Sequence, residues 1–306
     1  MTAEIEPIES RIPCILAAIP SLSGDVKRLQ TLTDALGSVG MQPLIAATGR
    51  ALDLRLAESR LPHTSPMSNS GFGQTITHVA NSRTDWDWLA IVNDDISVNE
   101  QQLRLSLKMV VGRNPQDRVL AYMDPVRPID MPTLSSVLLS VSLIGPLISH
   151  LRPPRLDDGR RTDPHRYFRP FSFVVVSRGL WDELNGFDSR IIYTFEDADF
   201  GRRAARASAD VLFLENTGIT HAAYSTSRKH MDRVLPVHVW SACVYLEKWT
   251  IFGPTARFMC AIALVIRLVL FPLANIPRWK HLRGIGATLV ALVARKQPKL
   301  PDYESN

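Results

Sequence analysis

Cysteine is scarce and scattered in this chain. Cys14, Cys243 and Cys260 lie far apart, with no CxxC and no Cys/His spacing. That argues against a cysteine-based zinc site or a disulfide framework, and an odd, unpatterned set suits a reducing compartment. Glycine (16) is outnumbered by proline (21), and no GxGxxG, GxxxxGKS or GxSxG element occurs. The chain therefore lacks the phosphate-cradling turns of dinucleotide and P-loop enzymes and the nucleophile turn of serine hydrolases. A large charge excess is missing too. A net charge of +5 over 306 residues gives no ground for a nucleic-acid partner. The opening stretch, MTAEIEPIESR, is acidic and polar without an apolar core, so no secretory leader and a cytoplasmic location are expected. Internal repeats and low-complexity tracts are absent.

What is present is ordinary globular composition, 45% hydrophobic and 21% charged, enough for one large domain or two small ones. Ile12 to Pro20 reads as a short buried strand. Val26, Leu29, Leu32, Leu36 and Val39 follow at helical spacing, and Pro43 to Ala47 reads as a second strand. This β-α-β opening predicts a parallel sheet. Asn69 to Gly73 reads as a loop, Thr75 to Ser82 as a helix and Trp88 to Val92 as a strand. A helix over VNEQQLRLSLKMVV, a strand in RVLAYMDPV, an apolar helix over Leu134 to Ile148 and a strand over Phe171 to Ser177 come next. A charged loop, RPPRLDDGRRTDPHR, precedes that last strand. The chain then gives a short helix in RGLWDELNGFDSR, a helix starting at FEDADFGRRAARAS, a strand in ADVLFLEN and a polar loop, GITHAAYSTSRKH.

Two acidic clusters stand out. Asn93, Asp94 and Asp95 close an apolar, β-branched strand, where adjacent like charges carry a desolvation cost. Alternation along a strand puts Asn93 and Asp95 on one face, and a small oxygen cluster suits Mg²⁺ or Mn²⁺ completed by substrate phosphates. The same three residues also make a good surface turn. Glu196, Asp197 and Asp199 precede a run of arginines. They fit helix capping and dipole compensation, and equally a general base that takes a proton from an acceptor hydroxyl. His221 follows a strand, where an imidazole could complete a metal shell or meet a diphosphate. Arg202, Arg203, Arg228 and Lys229 could bind phosphate or form a solvated charged face.

In this order the motifs NDD-Ile, FSFVVVSRGLWDELNGFD, YTFEDADFGRRA and THAAYSTS resemble a family 2 glycosyltransferase of the GT-A fold, in its rhamnosyltransferase-like branch. The resemblance covers roughly residues 13 to 230, and Phe171 to Arg203 is its most specific part. It implies an α/β fold with a mostly parallel, Rossmann-like central sheet flanked by helices. The activity implied is inverting transfer of a sugar from a nucleoside diphosphate sugar, a dTDP- or UDP-sugar being favoured, to a saccharide or lipid-linked acceptor in cell-surface polysaccharide synthesis. Asp95 and His221 would hold Mg²⁺ or Mn²⁺. Asn93, Asp94, Asn69, Gly71, Gly73 and Arg202 would line the donor. Asp197 would be the catalytic base, with Glu196 and Asp199 orienting it. Trp181 and Phe187 would pack the acceptor side. The family's second strand ends in an acid that grips the base. Here Ala47-Thr48-Gly49-Arg50 stands in its place, so the acid is missing or supplied by Asp25 or Asp53. The alternatives are a nucleotidyltransferase acting on sugar phosphates, for which SLSGDVKR is a poor phosphate loop, and a non-catalytic sugar-nucleotide binding protein.

From Leu235 onward the composition changes, which sets an expected boundary between a catalytic domain at 1–234 and a helical, basic segment at 235–306. VWSACVYLEKW reads as an amphipathic helix. Phe258 to Leu273 is apolar but falls short of the ~18 to 20 residues that span a bilayer. Nine Lys or Arg and no Asp or Glu lie between Lys248 and Lys299. Such a segment could rest peripherally on an anionic inner leaflet or simply pack on the catalytic domain.

Overall fold

A computed structural model describes residues 13–21, 24–124, 126–148, 162–221, 231–273 and 278–300. Most of the charged loop before Tyr167, and the THAAYSTS loop beyond His221 with Arg228 and Lys229, lie outside the described residues. The chain runs β1 (Ile15–Ser21), α1 (Val26–Ser38), β2 (Met41–Ala47), α2 (Arg50–Glu58), α3 (Phe72–Asn81), β3 (Trp88–Val92), β4 (Ile96–Val98), α4 (Glu100–Val111) and β5 (Val119–Tyr122). It continues through β6 (Ile129–Asp130), α5 (Leu134–Val141), α6 (Ile144–Ile148), β7 (Tyr167–Phe168), β8 (Phe173–Ser177), α7 (Arg178–Leu184) and α8 (Glu196–Arg206). β9 (Asp210–Phe213), β10 (Ile219–His221), α9 (Met231–Trp249), α10 (Ala256–Leu270) and α11 (Arg278–Ala294) complete it.

The central sheet has six strands in the order β2-β1-β3-β8-β5-β9. β1 pairs in parallel with β2 and β3, and β5 with β9, while β8 runs antiparallel between β3 and β5. Five strands thus share one direction and the mostly parallel expectation holds. The inner strands are apolar on both faces because helices cover both. Ile15, Ala17, Ile19, Trp88, Ala90, Val92, Phe173 and Val175 enter one core. Their alternates Leu16, Ala18, Leu89, Ile91, Val174 and Val176 enter the other, with an aromatic group that includes Phe171, Trp181, Phe187 and Phe200. Trp181 and Phe187 are buried, as expected of packing residues, with ring centroids 5.8 Å apart.

The reversal of β8 decides what meets what. Val92 at the end of β3 pairs with Phe173 at the start of β8. Phe171 and Ser172 are thereby delivered to the edge where the parallel strands finish. The edge of an open α/β sheet at its carboxyl ends is the usual ligand side.

Three local expectations need correction. The apolar helix over Leu134 to Ile148 is two helices, because Leu143 takes a left-handed φ of 67° that ends the first. α2 was not anticipated, although Leu52 and Leu56 bury one face at an i, i+4 interval. α9 begins before the expected VWSACVYLEKW, at Met231, tolerating Pro236 within it.

Gly71 shows how tightly the entry to α3 is built. Its φ of 96° and ψ of 164° lie where only glycine sits without strain, and a Cβ there would come within 2.1 Å of the Ile192 carbonyl oxygen. Gly49 has similar angles, φ 95° and ψ 152°, but open space around it. Gly71→Ala is expected to cost ~2 kcal/mol or more and Gly49→Ala only ~1 kcal/mol in urea unfolding, since both strain the backbone and one adds a clash. Equal losses would show that the approach of Ile192 is not the constraint.

Candidate active site

The edge defined by the ends of β1, β3 and β5 gathers acidic side chains. Asp94, in the turn between β3 and β4, accepts a hydrogen bond from the Ser21 hydroxyl at 2.7 Å and faces Arg28 of α1 at 3.4 Å. The Thr48 hydroxyl, just past β2, donates to the Ser21 carbonyl at 2.7 Å and so ties the first two strand ends together. The backbone of Asn93 donates to the Ser172 carbonyl at 2.9 Å, which locks the turn to the start of β8.

Asp95 and His221 come together through a small ribbon. β4 and β10 pair antiparallel with Ile96 opposite His221. The imidazole Nε2 consequently lies 2.9 Å from Asp95 Oδ1, although the residues are 126 positions apart. On its other side, Nδ1 lies 3.9 Å from Asp124 Oδ2. Asp124 is buried just past β5, hydrogen-bonded by the Ser172 hydroxyl and by the Val126 N–H at 3.1 Å. Arg169, also buried, donates to the Asp124 carbonyl at 3.1 Å and to the Leu214 carbonyl at 2.9 Å, fixing this turn to the end of β9. Sequence reading passed over Asp124, Ser172, Ser21 and Arg28. For Asp124 the signal existed: an acid directly after the AYM strand, in the position that drew attention to Asp95.

The second acidic cluster opens α8. Thr194 and Phe195 precede it with φ of 60° and 68°, a conformation that costs ~1 to 2 kcal/mol per non-glycine residue. The surroundings hold them there. The Ser241 hydroxyl of α9 accepts from the N–H groups of Ile192 and Tyr193 at 3.0 and 3.1 Å. The Thr194 hydroxyl meets His238 Nδ1 at 2.8 Å, and the Phe195 ring packs on Tyr245 at 5.4 Å between centroids. Glu196 is buried and its Oε2 has no hydrogen-bond partner. Asp197 is partly exposed and accepts from the Ala198 N–H at 2.8 Å and from the Phe171 backbone. Burial raises both carboxyls above the ordinary carboxylate range. The charge of Asp197 pushes Glu196 further, whereas backbone N–H groups hold Asp197 back, so Glu196 is the more strongly raised.

Asp199 faces elsewhere. It is buried, paired with Arg203 at 2.8 Å and Lys248 at 2.8 Å, and accepts from the Trp249 indole at 2.7 Å. Its role in the fold is to join α8 to α9. Arg202 also faces α9, donating to the Tyr245 hydroxyl at 3.1 Å. It lines a cavity of about 680 Å³ with Asp130, Met131, Thr133, Ser136 and Arg166, and neither Asp94, Asp95 nor His221 borders that space. Asn69 accepts from the Gly71 N–H at 3.3 Å, and Gly73 packs under Phe187, where a Cβ would lie 2.8 Å from the Phe187 Cβ. These three residues shape the start of α3. Of the two acids left to grip a base, Asp25 caps α1 through the Arg28 N–H at 3.2 Å and Asp53 pairs with His63 at 3.4 Å.

One carboxylate and one imidazole in direct contact form a donor pair that suits Mn²⁺ or Mg²⁺. Among the described residues no group of three or more His, Cys, Asp or Glu is placed to hold an ion. A divalent ion at this pair would need substrate oxygens for the rest of its shell.

Among solved structures, the chain resembles GalNAc-T7 with UDP, GalNAc and Mn²⁺ at a TM-score of 0.50 and 11% identity, over 92% of this chain and 58% of that one. It also resembles glucosyl-3-phosphoglycerate synthase from Mycobacterium tuberculosis, in complex with Mn²⁺, UDP and glucosyl-3-phosphoglycerate. That match has a TM-score of 0.44 and 12% identity over 76% of this chain and 79% of that one. CMP:2-keto-3-deoxy-manno-octonic acid synthetase with CTP matches at a TM-score of 0.41 and 10% identity, over 66% and 89%. No protein-family model matches the chain, and no curated protein sequence does. The fold is that of the GT-A class, a mixed α/β sheet flanked by helices.

The raised carboxyls carry a sign. An acid whose folded pKa is raised stays protonated in the native state after the unfolded chain has ionised. Its penalty is absent below the ordinary carboxyl value near ~4 and grows as pH rises from there through the raised folded range. Urea midpoints of the protein are expected to fall between about pH 5 and about pH 8, and Glu196→Gln to flatten that fall. A gap between variant and parent that does not change with pH would mean that Glu196 is not the group responsible.

Proposed function

We propose that the protein is an inverting glycosyltransferase that uses a nucleoside diphosphate sugar and a divalent ion. One observation carries the reading: Asp95, His221, Asp124, Ser172, Phe171 and Asp197 form an unbroken chain of contacts along the carboxyl edge of the sheet. Donor and base functions would then lie on either side of one two-residue segment, Phe171–Ser172.

Asp95 and His221 are the residues that would hold Mg²⁺ or Mn²⁺. When bound, the ion would supply positive charge to the departing diphosphate. The rest belongs to the chain. Asp197, which accepts backbone N–H groups and lies beside Glu196, accepts the proton of an acceptor hydroxyl. The oxygen so freed attacks the anomeric carbon, the bond from that carbon to the diphosphate oxygen breaks, and the nucleoside diphosphate departs with inversion. General-base assistance of this type is typically worth ~10² to 10⁴ in rate. Ser21, Arg28 and Thr48, grouped around Asp94, stand where the nucleotide of the donor would approach the ends of β1 and β2. A lipid-linked or growing saccharide in surface-polysaccharide assembly is the proposed acceptor.

The test is a thermal-shift panel of UDP-, dTDP- and GDP-sugars with and without Mn²⁺, followed by transfer assays on the donor that stabilises the protein. A metal-dependent shift with one donor is expected, and its loss in Asp95→Ala. Asp197→Asn is expected to keep the shift and lose transfer by ~10² to 10⁴. Undiminished transfer by folded Asp197→Asn would overturn the base assignment. A product bearing a nucleotide, formed with release of pyrophosphate, would make the protein a nucleotidyltransferase instead.

A further inference from the structure

α10 turns a continuous apolar stripe to solvent. Phe258, Ile262, Val265 and Val269 recur at intervals of four, three and four, the spacing of one helix face, and they are 68%, 46%, 56% and 72% exposed. Ile251 and Phe252, in the turn before the helix, extend it. The opposite face is the packed one. Ala256, Cys260, Ala263 and Leu264 enter a core shared with α5, α9 and α11. α11 repeats the arrangement, burying Ile285 and Leu292 in that core while Trp279, Val290 and Val293 stand exposed. Both stripes therefore point away from the same core. Monomeric soluble proteins rarely leave contiguous apolar patches uncovered, and those that persist mark docking surfaces.

Charge identifies the occupant. Lys280, Arg283, Arg295, Lys296 and Lys299 are exposed on α11 and the chain beyond it. The segment from Lys248 to Lys299 holds no Asp or Glu. A second copy of the chain would bring a like-charged basic face against this one, which is unfavourable. An anionic lipid surface complements it, each Lys or Arg near such a surface being worth ~1 kcal/mol.

The geometry also excludes a spanning helix. Gly253–Leu270 is long and apolar enough by composition to be considered, a longer window than the one counted from Phe258, and a third of it is buried. Yet α10 itself has 15 residues, a rise of ~22 Å against a hydrocarbon core of ~30 Å. Arg267 is buried on its inner face, donating to the Val141 carbonyl at 2.9 Å and to His281 Nε2 at 3.0 Å. One side of α10 is committed to protein. We infer that α10 and α11 form a monotopic platform that lies in the interface of an anionic membrane, with the stripe of Phe258, Ile262, Val265 and Val269 entering the acyl boundary.

The inference does not rest on the glycosyltransferase reading, and its test uses neither donor nor acceptor. The full chain is incubated with vesicles of phosphatidylcholine alone, or of phosphatidylcholine mixed equally with phosphatidylglycerol, and sedimented. Binding to the anionic vesicles is expected to be about tenfold tighter than to the neutral ones, and to weaken with salt. Phe258→Asp/Val265→Asp changes only exposed positions and is expected to lose about tenfold or more of that binding while keeping the parent's melting temperature. Arg295→Glu/Lys296→Glu is expected to lose the preference for anionic lipid. Failure of the parent to bind either vesicle overturns the inference, as does unchanged binding by the apolar-face variant. So does a lipid-free dimer in sedimentation velocity that the same variant dissolves, because the stripe would then be covered by a second copy.

Discussion

The structure depends on keeping five carboxylates at one edge of a sheet. Asp94, Asp95, Asp124, Glu196 and Asp197 converge there, and each is accommodated differently. Asp94 has a hydroxyl and a guanidinium. Asp95 has an imidazole. Asp124 has a hydroxyl and backbone N–H. Asp197 accepts backbone N–H groups, and Glu196 Oε2 has no hydrogen-bond partner. A buried charge without a partner costs several kcal/mol, and burial raises both Glu196 and Asp197 above the ordinary carboxyl range.

α8 begins with one carboxyl buried and one turned toward the Phe171 backbone. The orientation is enforced by Thr194 and Phe195 in left-handed conformations, which α9 holds through Ser241, His238 and Tyr245. α9 is therefore part of what positions Glu196 and Asp197. Asp199 belongs to the same brace, since its bonds to Lys248 and Trp249 fasten α8 to α9 from below.

Much of this was legible in the sequence, for identifiable reasons. Strand β3 matched its expected limits, because an uninterrupted apolar run ending in NDD admits few other conformations. The β-α-β opening followed from helical spacing between two short apolar runs. Long-range pairing was not legible. Nothing local announces that β8 runs antiparallel, yet that reversal brings Ser172 to Asp124. Nor does any local feature place His221 opposite Ile96. The close packing at Gly71 and Gly73 was not legible either: a side chain there would meet Ile192 or Phe187, more than a hundred residues away along the chain. Nor was the hydrogen bond from Arg202 to Tyr245, since helical phase depends on where α8 starts.

The helix that braces the start of α8 also carries the layer that presents the uncovered apolar stripe. α9 touches the base segment with one set of residues, among them His238 and Ser241, and the α10–α11 layer with another, among them Val239 and Leu246. α9 and the α10–α11 layer, each about one helix thick at ~10 Å, thus stand between the segment that carries Asp197 and the proposed membrane face. One face of α9 orders the entry to α8, and the other carries the layer whose far side bears the apolar stripe.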